Sequence, residues 1–444
     1  MTPIGARFHR QTWYRDQVGS DAPAIARLIG QKQCRTLIIG AGLGGLSTAQ
    51  SLVERGDRDV IVIEAGEPGN GASGRNGGFV FAGYSLANER LLSQLGRDRA
   101  RRLHHWTRDG VRLLAERIAR WQLDCRMGES GVVLADWFGD DRRLLAMRRR
   151  LAEELQFELE FLDRRQLAEL VRSDRYGGGL REPDSFHFQP LAYLFGMVRQ
   201  LENAGVMVYG HSPVSALSRT DDGWEARCDK GSVRAERVIL TTGGYDLRLN
   251  RRLQGAIQPV GTYIVVTQPL GQRLTSRIPV PVAVYDTRFA FDYYRPLPDG
   301  RLLWGGRISM ADRTPSAIER LMRRDISKVF PELAGVGFDY AWGGWMSYAR
   351  HQMPILHLAP DGLGAALAFG GHGMAVTTLG GEIMAEALTG CRERLEAFQR
   401  WGAVWAGGLA GRAAVQARYW QLQLADRLRD WRGRPRRDGR FPTS

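Results

Sequence analysis

The sequence predicts an α/β fold in which a dinucleotide-binding domain, assembled from several segments, is joined to a second domain. Near residue 40 a strand, a glycine-rich turn and a helix follow one another, and two later strands also end in glycine turns. A helical pattern from about residue 88 to 172 and a β-type stretch over 260–306 separate these turns. We expect the separated strands to form one sheet and the intervening blocks to form the second domain.

The first glycine turn has the spacing of a Rossmann-like dinucleotide site. An apolar strand enters a G-x-G-x-x-G turn, a helix follows, and a second strand ends in an acid nineteen residues after the last glycine. The residues expected to contact the nucleotide here are Gly40, Gly42, Leu43, Gly44, Gly45, Glu64 and Ala65. The glycines allow a tight turn, a close approach to pyrophosphate and close helix–strand packing. We expect the helix N-terminus to bind the phosphates and Glu64 to accept hydrogen bonds from the ribose hydroxyls. The negative charge of Glu64 would repel a 2′-phosphate, which argues against NADP.

The charge balance does not indicate a nucleic-acid partner. The chain of 444 residues has 62 basic and 48 acidic residues, a net charge of +14. Almost all of the basic residues are arginine, and +7 of the charge lies after Gly390. Because the remaining charge is spread thinly, we expect a solvated surface rather than a binding groove.

Cysteine spacing and hydropathy predict a cytoplasmic protein. The four cysteines stand far apart, so they indicate neither a disulfide framework nor a metal site. The adjacent pair His104 and His105 has no carboxylate partner in range, so we expect no metal there either. The first 34 residues lack the apolar stretch of a signal peptide, and no run of about 18 apolar residues predicts a transmembrane helix.

Two further motifs carry a family resemblance. The loop after Glu64 is small and polar, with Gly-Ala-Ser-Gly-Arg-Asn-Gly-Gly at 71–78, and Phe-Gly-Gly-His-Gly-Met stands at 369–374. These stretches resemble the flavin motifs of the glycine oxidase/D-amino-acid oxidase superfamily of FAD-dependent oxidoreductases. In its order of motifs, including 173–176, 292–295 and 302–306, the chain is most similar to the γ-glutamylputrescine oxidase branch.

The resemblance implies a Rossmann-like FAD-binding domain built from several segments plus an antiparallel β-sheet/helical substrate domain. We predict FAD-binding segments at 33–88, 186–250 and 341–392. The substrate domain would comprise a helical segment, 89–185, and a β-rich segment, 251–340. An N-terminal arm, 1–32, would be a surface strap, and 393–444 would be a C-terminal basic aromatic tail.

The resemblance also implies roles for residues at the flavin. The loop residues expected to place backbone N–H groups near N5 and O4 are Gly71, Ala72, Ser73, Arg75, Asn76, Gly77 and Gly78. Residues matching other cofactor contacts are Val214, Thr242, Gly243, Gly371, His372, Gly373 and Met374. Residues 371–374 lead into a helix whose backbone amides would stabilise negative charge at the N1–C2=O edge of the flavin. Neither Cys nor His stands where related enzymes attach flavin covalently, so we expect non-covalent FAD.

Two departures from the family pattern restrict the class of substrate that we expect. Sarcosine-oxidase-like members place a cation after the His-Gly-aromatic run, where this chain has Ala375. The cation at the end of their first flavin loop is replaced by Gly78. An α-amino-acid carboxylate would therefore lose its usual partners, which favours an amine or a conjugated polyamine.

The candidate catalytic residues are His372, Tyr293 and Tyr294. We expect His372 to shape the flavin site; the alternative is that it only caps a turn. We expect Tyr293 or Tyr294 to line the active site; the alternative is that both only pack within the sheet. We expect Asp292 to pair with Arg295.

The candidate substrate-contact residues are Trp345 and His351. They lie just ahead of the last flavin strand, where the family often has substrate contacts.

The predicted function is oxidation of an amine to an imine by hydride transfer to flavin N5, with O₂ reduced to hydrogen peroxide. The best substrate is γ-glutamylputrescine or a related acylated polyamine. An alternative is a dehydrogenase of D-amino or N-alkyl amino acids that passes electrons to membrane quinone, with the tail as a peripheral docking element. We favour packing of the tail aromatics on the FAD-binding domain. A remote alternative is a tRNA-modifying flavoprotein.

Overall fold

The computed structural model describes residues 11–128, 131–245, 248–289, 291–310 and 312–433. The outermost parts of the predicted arm, 1–10, and tail, 434–444, lie outside the described residues. The strands are β1 (Gly30–Ile39), β2 (Val60–Ile63), β3 (Phe79–Val80), β4 (Val132–Ala135), β5 (Glu160–Leu162), β6 (Gly179–Glu182), β7 (Phe186–His187), β8 (Met207–Tyr209), β9 (Ala216–Thr220), β10 (Gly223–Arg227), β11 (Gly231–Leu240), β12 (Ile257–Thr267), β13 (Ala283–Asp286), β14 (Asp292–Pro296), β15 (Leu302–Ser309), β16 (Phe338–Ala349), β17 (Ile355–Leu358) and β18 (Leu363–Leu367). The helices are α1 (Trp13–Val18), α2 (Leu43–Glu54), α3 (Asn88–Leu95), α4 (Arg97–Arg120), α5 (Asp141–Leu155), α6 (Arg164–Leu170), α7 (Pro190–Asn203), α8 (Arg251–Ala256), α9 (Gln272–Thr275), α10 (Pro315–Val329), α11 (Gly373–Leu388), α12 (Glu393–Phe398) and α13 (Gly408–Gly433).

The first sheet joins strands from three separated segments, as the sequence predicts. Its order is β17-β18-β11-β1-β2-β8, with β10 and β9 attached to β11. The central pairs β18–β11, β11–β1, β1–β2 and β2–β8 are parallel. Because parallel strands end at the same edge, the glycine turns after β1, β11 and β18 come together there.

Helices α2 and α11 cross closely on this sheet. Both begin at glycine turns and both have small residues where they meet. A Cβ on Gly381 would lie 2.5 Å from the Cβ of Ser47. The close crossing brings the N-termini of the two helices to the same end of the sheet.

The second sheet has the order β16-β12-β15-β14-β13-β4-β6-β5 and is antiparallel except for the pair β13–β4. One face packs on α10 around Tyr294, Trp304 and Phe330. The other face is turned toward the glycine-rich loop at 71–78, because Tyr293 of β14 contacts Gly77. The sheet runs to the end of β16, so it continues past the predicted segment boundary at 340.

The N-terminal arm is more deeply packed than a surface strap. Trp13 and Tyr14 of α1 are buried, and they pack with Phe195 and Trp342 in one apolar cluster. The arm therefore fixes α7 and the second sheet to each other.

The tail divides between the two domains. Phe398 and Trp401 are buried in the core formed with α11, as predicted. Helix α13 instead packs along the second domain, since the Phe289 N–H donates to Asp426 at 2.8 Å and Arg175 pairs with Asp430. The prediction that the tail packs on the FAD-binding domain is thus wrong for α13. In the described part of the chain, no helix is long and apolar enough to cross a membrane.

Candidate functional site

The first glycine turn has the close approaches expected from its spacing. Gly40 has φ +116°, and a Cβ there would lie 2.8 Å from the Thr241 carbonyl oxygen. A Cβ on Gly45 would overlap the Gly40 carbonyl oxygen. The Leu43 N–H at the start of α2 donates to the Ser73 hydroxyl at 2.9 Å. The N-terminus of α2 and the loop at 71–78 therefore share one surface.

Glu64 ends β2 beside this turn. Its carboxylate accepts from the Ala41 N–H at 2.9 Å and from the Gly66 N–H at 3.0 Å. Burial raises its pKa, against the lowering effect of these N–H groups. The Ser212 N–H donates to the Glu64 carbonyl oxygen at 2.9 Å. This bond brings the segment containing Val214 to the predicted adenosine end of the site.

The two flavin motifs meet in space although they are far apart in sequence. The Asn76 side-chain amide contacts the Met374 sulfur at 3.3 Å and donates to the Ser73 carbonyl oxygen at 2.7 Å. Gly371 donates its N–H to the Ser85 hydroxyl at 2.9 Å. Thr242 and Gly243 follow β11 at the same edge of the sheet, and Gly243 has φ +62°.

A buried bracket holds the loop at 71–78 from behind. Arg295 donates to the Gly77 and Phe188 carbonyl oxygens, both at 2.8 Å. The Tyr14 hydroxyl donates to the Asn76 carbonyl oxygen at 2.7 Å, and Trp342 donates to the Arg75 carbonyl oxygen at 2.9 Å. Sequence reasoning missed this bracket, because its members come from three unrelated segments.

His372 lies where the sequence places it, at the N-terminus of α11. Its ring contacts the Phe81 ring with a centroid separation of 4.9 Å. Burial lowers the pKa of His372 to about 4, so the imidazole is neutral at pH 7. A neutral ring can orient a ligand or accept a hydrogen bond, but it carries no charge for a substrate carboxylate.

The structure separates the two candidate tyrosines. Tyr293 contacts the loop, since a Cβ on Gly77 would lie 2.6 Å from its ring. Tyr294 points to the opposite face, where its ring stacks on Trp304 at 4.5 Å. Tyr294 is therefore a core residue of the second domain, and only Tyr293 is kept as a site candidate.

The predicted ion pair of Asp292 is wrong. Asp292 pairs with Arg288 at 2.5 Å, while Arg295 donates to the Gly77 carbonyl oxygen in the bracket. The Asp292 and Arg295 side chains project from opposite faces of β14, so they cannot form an ion pair. Arg288 also pairs with Asp286 at 2.6 Å, which makes this cluster part of the second-domain core.

Trp345 and His351, the two predicted substrate contacts, both pack against neighbouring segments of the chain. Trp345 is buried in β16, next to Gly261 of β12. His351 lies in the turn after β16, with its Nε2 at 3.1 Å from the Gly402 carbonyl oxygen and its Nδ1 accepting from the Met353 N–H. Neither residue lines the cavity described next, so the structure does not favour a substrate role for them.

A cavity of about 320 Å³ begins at His372 and runs between the second sheet and helices α3, α4 and α5. Lining residues at its flavin-motif end and along the sheet are Phe81, Leu134, Leu180, Glu182, Tyr285 and His372. Tyr285 stacks on Phe81 at 5.4 Å. Tyr285 was not predicted as a site residue, although hairpin pairing puts it opposite Tyr293 and on the same face.

These residues fit an FAD molecule. The α2 N-terminus has backbone N–H groups for a pyrophosphate, and Glu64 stands at the strand end expected for ribose. The loop at 71–78 ends in Gly77 and Gly78, where a Cβ would collide with Tyr293 and with Phe188 and Arg295 of the bracket. The N-terminal amides of α11 begin beside the same loop.

Comparisons with known proteins agree with this fit. Residues 35–387 match the DAO family, described as FAD dependent oxidoreductase. The chain is 33% identical over 395 residues to gamma-glutamylputrescine oxidoreductase of Escherichia coli (strain K12), covering 88% of this chain and 91% of that relative. A probable oxidoreductase of Haemophilus influenzae is 31% identical over 401 residues with the same coverage. Glycine oxidase from Geobacillus kaustophilus has a TM-score of 0.68 at 19% identity, over 81% of this chain and 95% of that one. The chain is a member of the DAO family of FAD-dependent oxidoreductases.

Proposed function

We propose that the chain oxidises an amine at a C–N bond to an imine, which water hydrolyses to an aldehyde and a free amine. The candidate substrate is γ-glutamylputrescine or a related acylated polyamine. Similarity to gamma-glutamylputrescine oxidoreductase supports this proposal. The observation that carries it is the packing at the two positions, Ala375 and Gly78, where sarcosine-oxidase-like members have a cation.

Both of those positions are closed to a long side chain. Ala375 is 1% exposed, and α4 approaches so closely that a Cβ on Gly110 would overlap the Ala375 carbonyl oxygen. Gly78 has φ +75°, and a Cβ there would overlap the Phe188 carbonyl oxygen. A carboxylate on the reacting carbon would therefore lack its usual partners, whereas an amine without one is accommodated.

Charged residues farther along the cavity suit a long, acylated amine. Glu89 of α3 and Arg150 of α5 both line it, and their side chains are 4.0 Å apart. A glutamyl group carries an ammonium and a carboxylate, which complement this pair. Such a substrate would extend its alkyl chain past the apolar wall toward His372.

The protein's part in the chemistry is to position the amine and exclude water. When bound, the flavin supplies the acceptor for the hydride that leaves the carbon beside the nitrogen. Phe81 and His372 would hold the alkyl chain of the substrate, and Tyr293 would support the loop at 71–78. The amides at the start of α11 would stabilise negative charge at the neighbouring edge of the flavin.

The direct test is anaerobic bleaching of the flavin band near ~450 nm by candidate substrates. γ-Glutamylputrescine, putrescine and a panel of amino acids would each be mixed with the purified yellow protein. Rapid bleaching by the acylated polyamine is expected. Bleaching by an amino acid alone would refute the amine assignment.

A second candidate differs in its electron acceptor. Helix α13 exposes an apolar stripe at helical spacing, in which Leu409, Trp420, Leu424 and Trp431 are 72%, 65%, 55% and 75% exposed. A membrane-docked dehydrogenase that reduces quinone would use such a stripe. This candidate predicts slow reoxidation in air, fast reoxidation by a soluble quinone, and co-sedimentation with anionic vesicles that the double variant Trp420→Gln, Trp431→Gln loses. Fast reoxidation in air would instead establish the oxidase.

A further inference from the structure

The carboxylate of Glu182 lines the cavity and takes no part in the contacts described above. Glu182 ends β6, where it pairs with Val132 of β4. Two residues farther along these strands, Leu180 lies opposite Leu134, which lies opposite Tyr285. Because strand faces alternate, Glu182 and Tyr285 project from the same face, and both line the cavity.

The position of Glu182 relative to His372 follows from a short series of contacts. One oxygen, Oε1, accepts from the Ala82 N–H at 2.9 Å. The neighbouring residue, Phe81, stacks on Tyr285 and contacts His372. Glu182 and His372 therefore both contact the segment formed by Phe81 and Ala82, and both line the cavity.

The other oxygen, Oε2, has no hydrogen-bond partner among the described residues. A carboxylate in an apolar cavity is stabilised when a cation with N–H donors binds it. The sheet-side walls beside it are Leu134, Leu180 and Tyr285, which offer no positive charge. Glu182 thus offers a cation in the cavity a carboxylate oxygen that no positive side chain on these walls neutralises.

The groups around Glu182 set its charge. Burial raises its pKa to about 7, against the Ala82 N–H, which lowers it. Asp184 on the same turn adds to the rise, and Arg108 on α4, which pairs with Asp184 at 3.9 Å, opposes it. The other titratable residues that line the cavity are Tyr84, Glu89, His104, Arg150, Tyr285 and His372. A carboxylate tuned in this way can both pair with an ammonium and take a proton from it.

We propose that Glu182 binds the ammonium group of the amine substrate and accepts one of its protons on Oε2. The N–H bond of the ammonium breaks and the O–H bond of the carboxylic acid forms, leaving a neutral amine with its lone pair. Only the neutral amine can lose a hydride from the adjacent carbon. This inference rests on the proposed amine oxidation, and it makes Glu182 the residue that selects a cationic substrate.

The binding half of the proposal is tested with a ligand that is not oxidised. Butylguanidinium stays protonated and has N–H donors, and butyramide is a neutral ligand of similar length. Calorimetry on the FAD-bound protein should show butylguanidinium binding that Glu182→Gln weakens by at least about thirtyfold. Glu153→Gln, which changes an exposed carboxylate of α5 that does not line the cavity, should leave binding within about twofold, and butyramide should not distinguish the variants. Equal butylguanidinium affinity in wild type and Glu182→Gln would overturn the proposal.

The proton-transfer half is tested by the pH dependence of anaerobic flavin bleaching. The wild-type rate should rise through about pH 7, and Glu182→Gln should lack this rise and gain rate only as the free amine deprotonates. Glu182→Asp keeps the charge and should retain cation binding, which separates loss of charge from loss of fold. An unchanged pH profile in Glu182→Gln would remove the proton-acceptor role. If no amine bleaches the flavin but butylguanidinium binding still depends on Glu182, the proposed function fails while the cation site stands.

Discussion

At the scale of single residues, the glycines of the first turn have the clearest consequences. Gly42 faces the Ser73 hydroxyl, at 3.0 Å from where a Cβ would be. Gly42→Asp would place a charged side chain where the pyrophosphate is expected, so we predict purified protein without yellow colour. Gly335→Asp is the matched control, because a Cβ there meets nothing within 4 Å. A yellow Gly42→Asp protein with normal flavin content would show that the pyrophosphate lies elsewhere.

His372 gives a second residue-scale prediction. His372→Ala removes a ring that contacts Phe81 and lines the cavity but provides no side-chain cap to α11. We expect the rate of anaerobic flavin reduction to fall by about tenfold or more, with flavin content nearly unchanged. His105→Ala, at an exposed position on α4, is the control. Loss of flavin without loss of rate per bound flavin would make His372 a structural residue.

Sequence reasoning succeeds at this scale where the determinant is local. The G-x-G-x-x-G spacing predicts its own turn, because the strand, the glycines and the helix that form it are consecutive in the sequence. The choice between Tyr293 and Tyr294 needed the second sheet, since alternation defines two faces without saying which one meets the loop. Glu182 carries no motif, and its role arises only when β6 and α4 enclose one cavity.

At the scale of elements, the bracket behind the loop at 71–78 makes a testable link between α1 and the flavin. Tyr14→Phe removes the bond to the Asn76 carbonyl oxygen and one contact of Arg295. We expect a loss of about 1 kcal/mol in unfolding free energy and faster FAD dissociation. Tyr340→Phe loses an exposed bond to Asp16 and should change neither. Equal FAD dissociation from wild type and Tyr14→Phe would separate the arm from the cofactor site.

The element-scale predictions were right about which segments share a sheet and wrong about α1 of the N-terminal arm and about helix α13. The strands at β1, β11 and β18 were recognisable from apolar runs that stop at glycine. The arm and α13 were misplaced, because an amphipathic segment shows that it packs without showing which surface it packs on.

At the scale of the whole molecule, a buried histidine links stability to pH. His104 is 1% exposed, packs on Phe157 at 4.7 Å, and has a pKa lowered to about 4 by burial, from 6.5 in the unfolded chain. A lowered histidine pKa stabilises the fold above pH 6.5, and this contribution is lost as pH falls from 6.5 to about 4. His104→Leu should reduce the drop in unfolding free energy over this range by about 3 kcal/mol. Thermal unfolding at a series of pH values, with exposed His105→Leu as control, measures the difference; parallel curves for His104→Leu and wild type would contradict it.

The contact between Asn76 and Met374 spans 298 positions of the chain. A ribosome must therefore synthesise the chain through Met374 before both halves of the flavin site exist together. Pairing of such distant segments raises contact order, which slows folding and delays the closing of the central sheet. Cofactor capture is then a late folding event, and an incomplete nascent chain cannot retain FAD at a finished site. Yellow colour would thus report that a molecule has been synthesised and folded through α11.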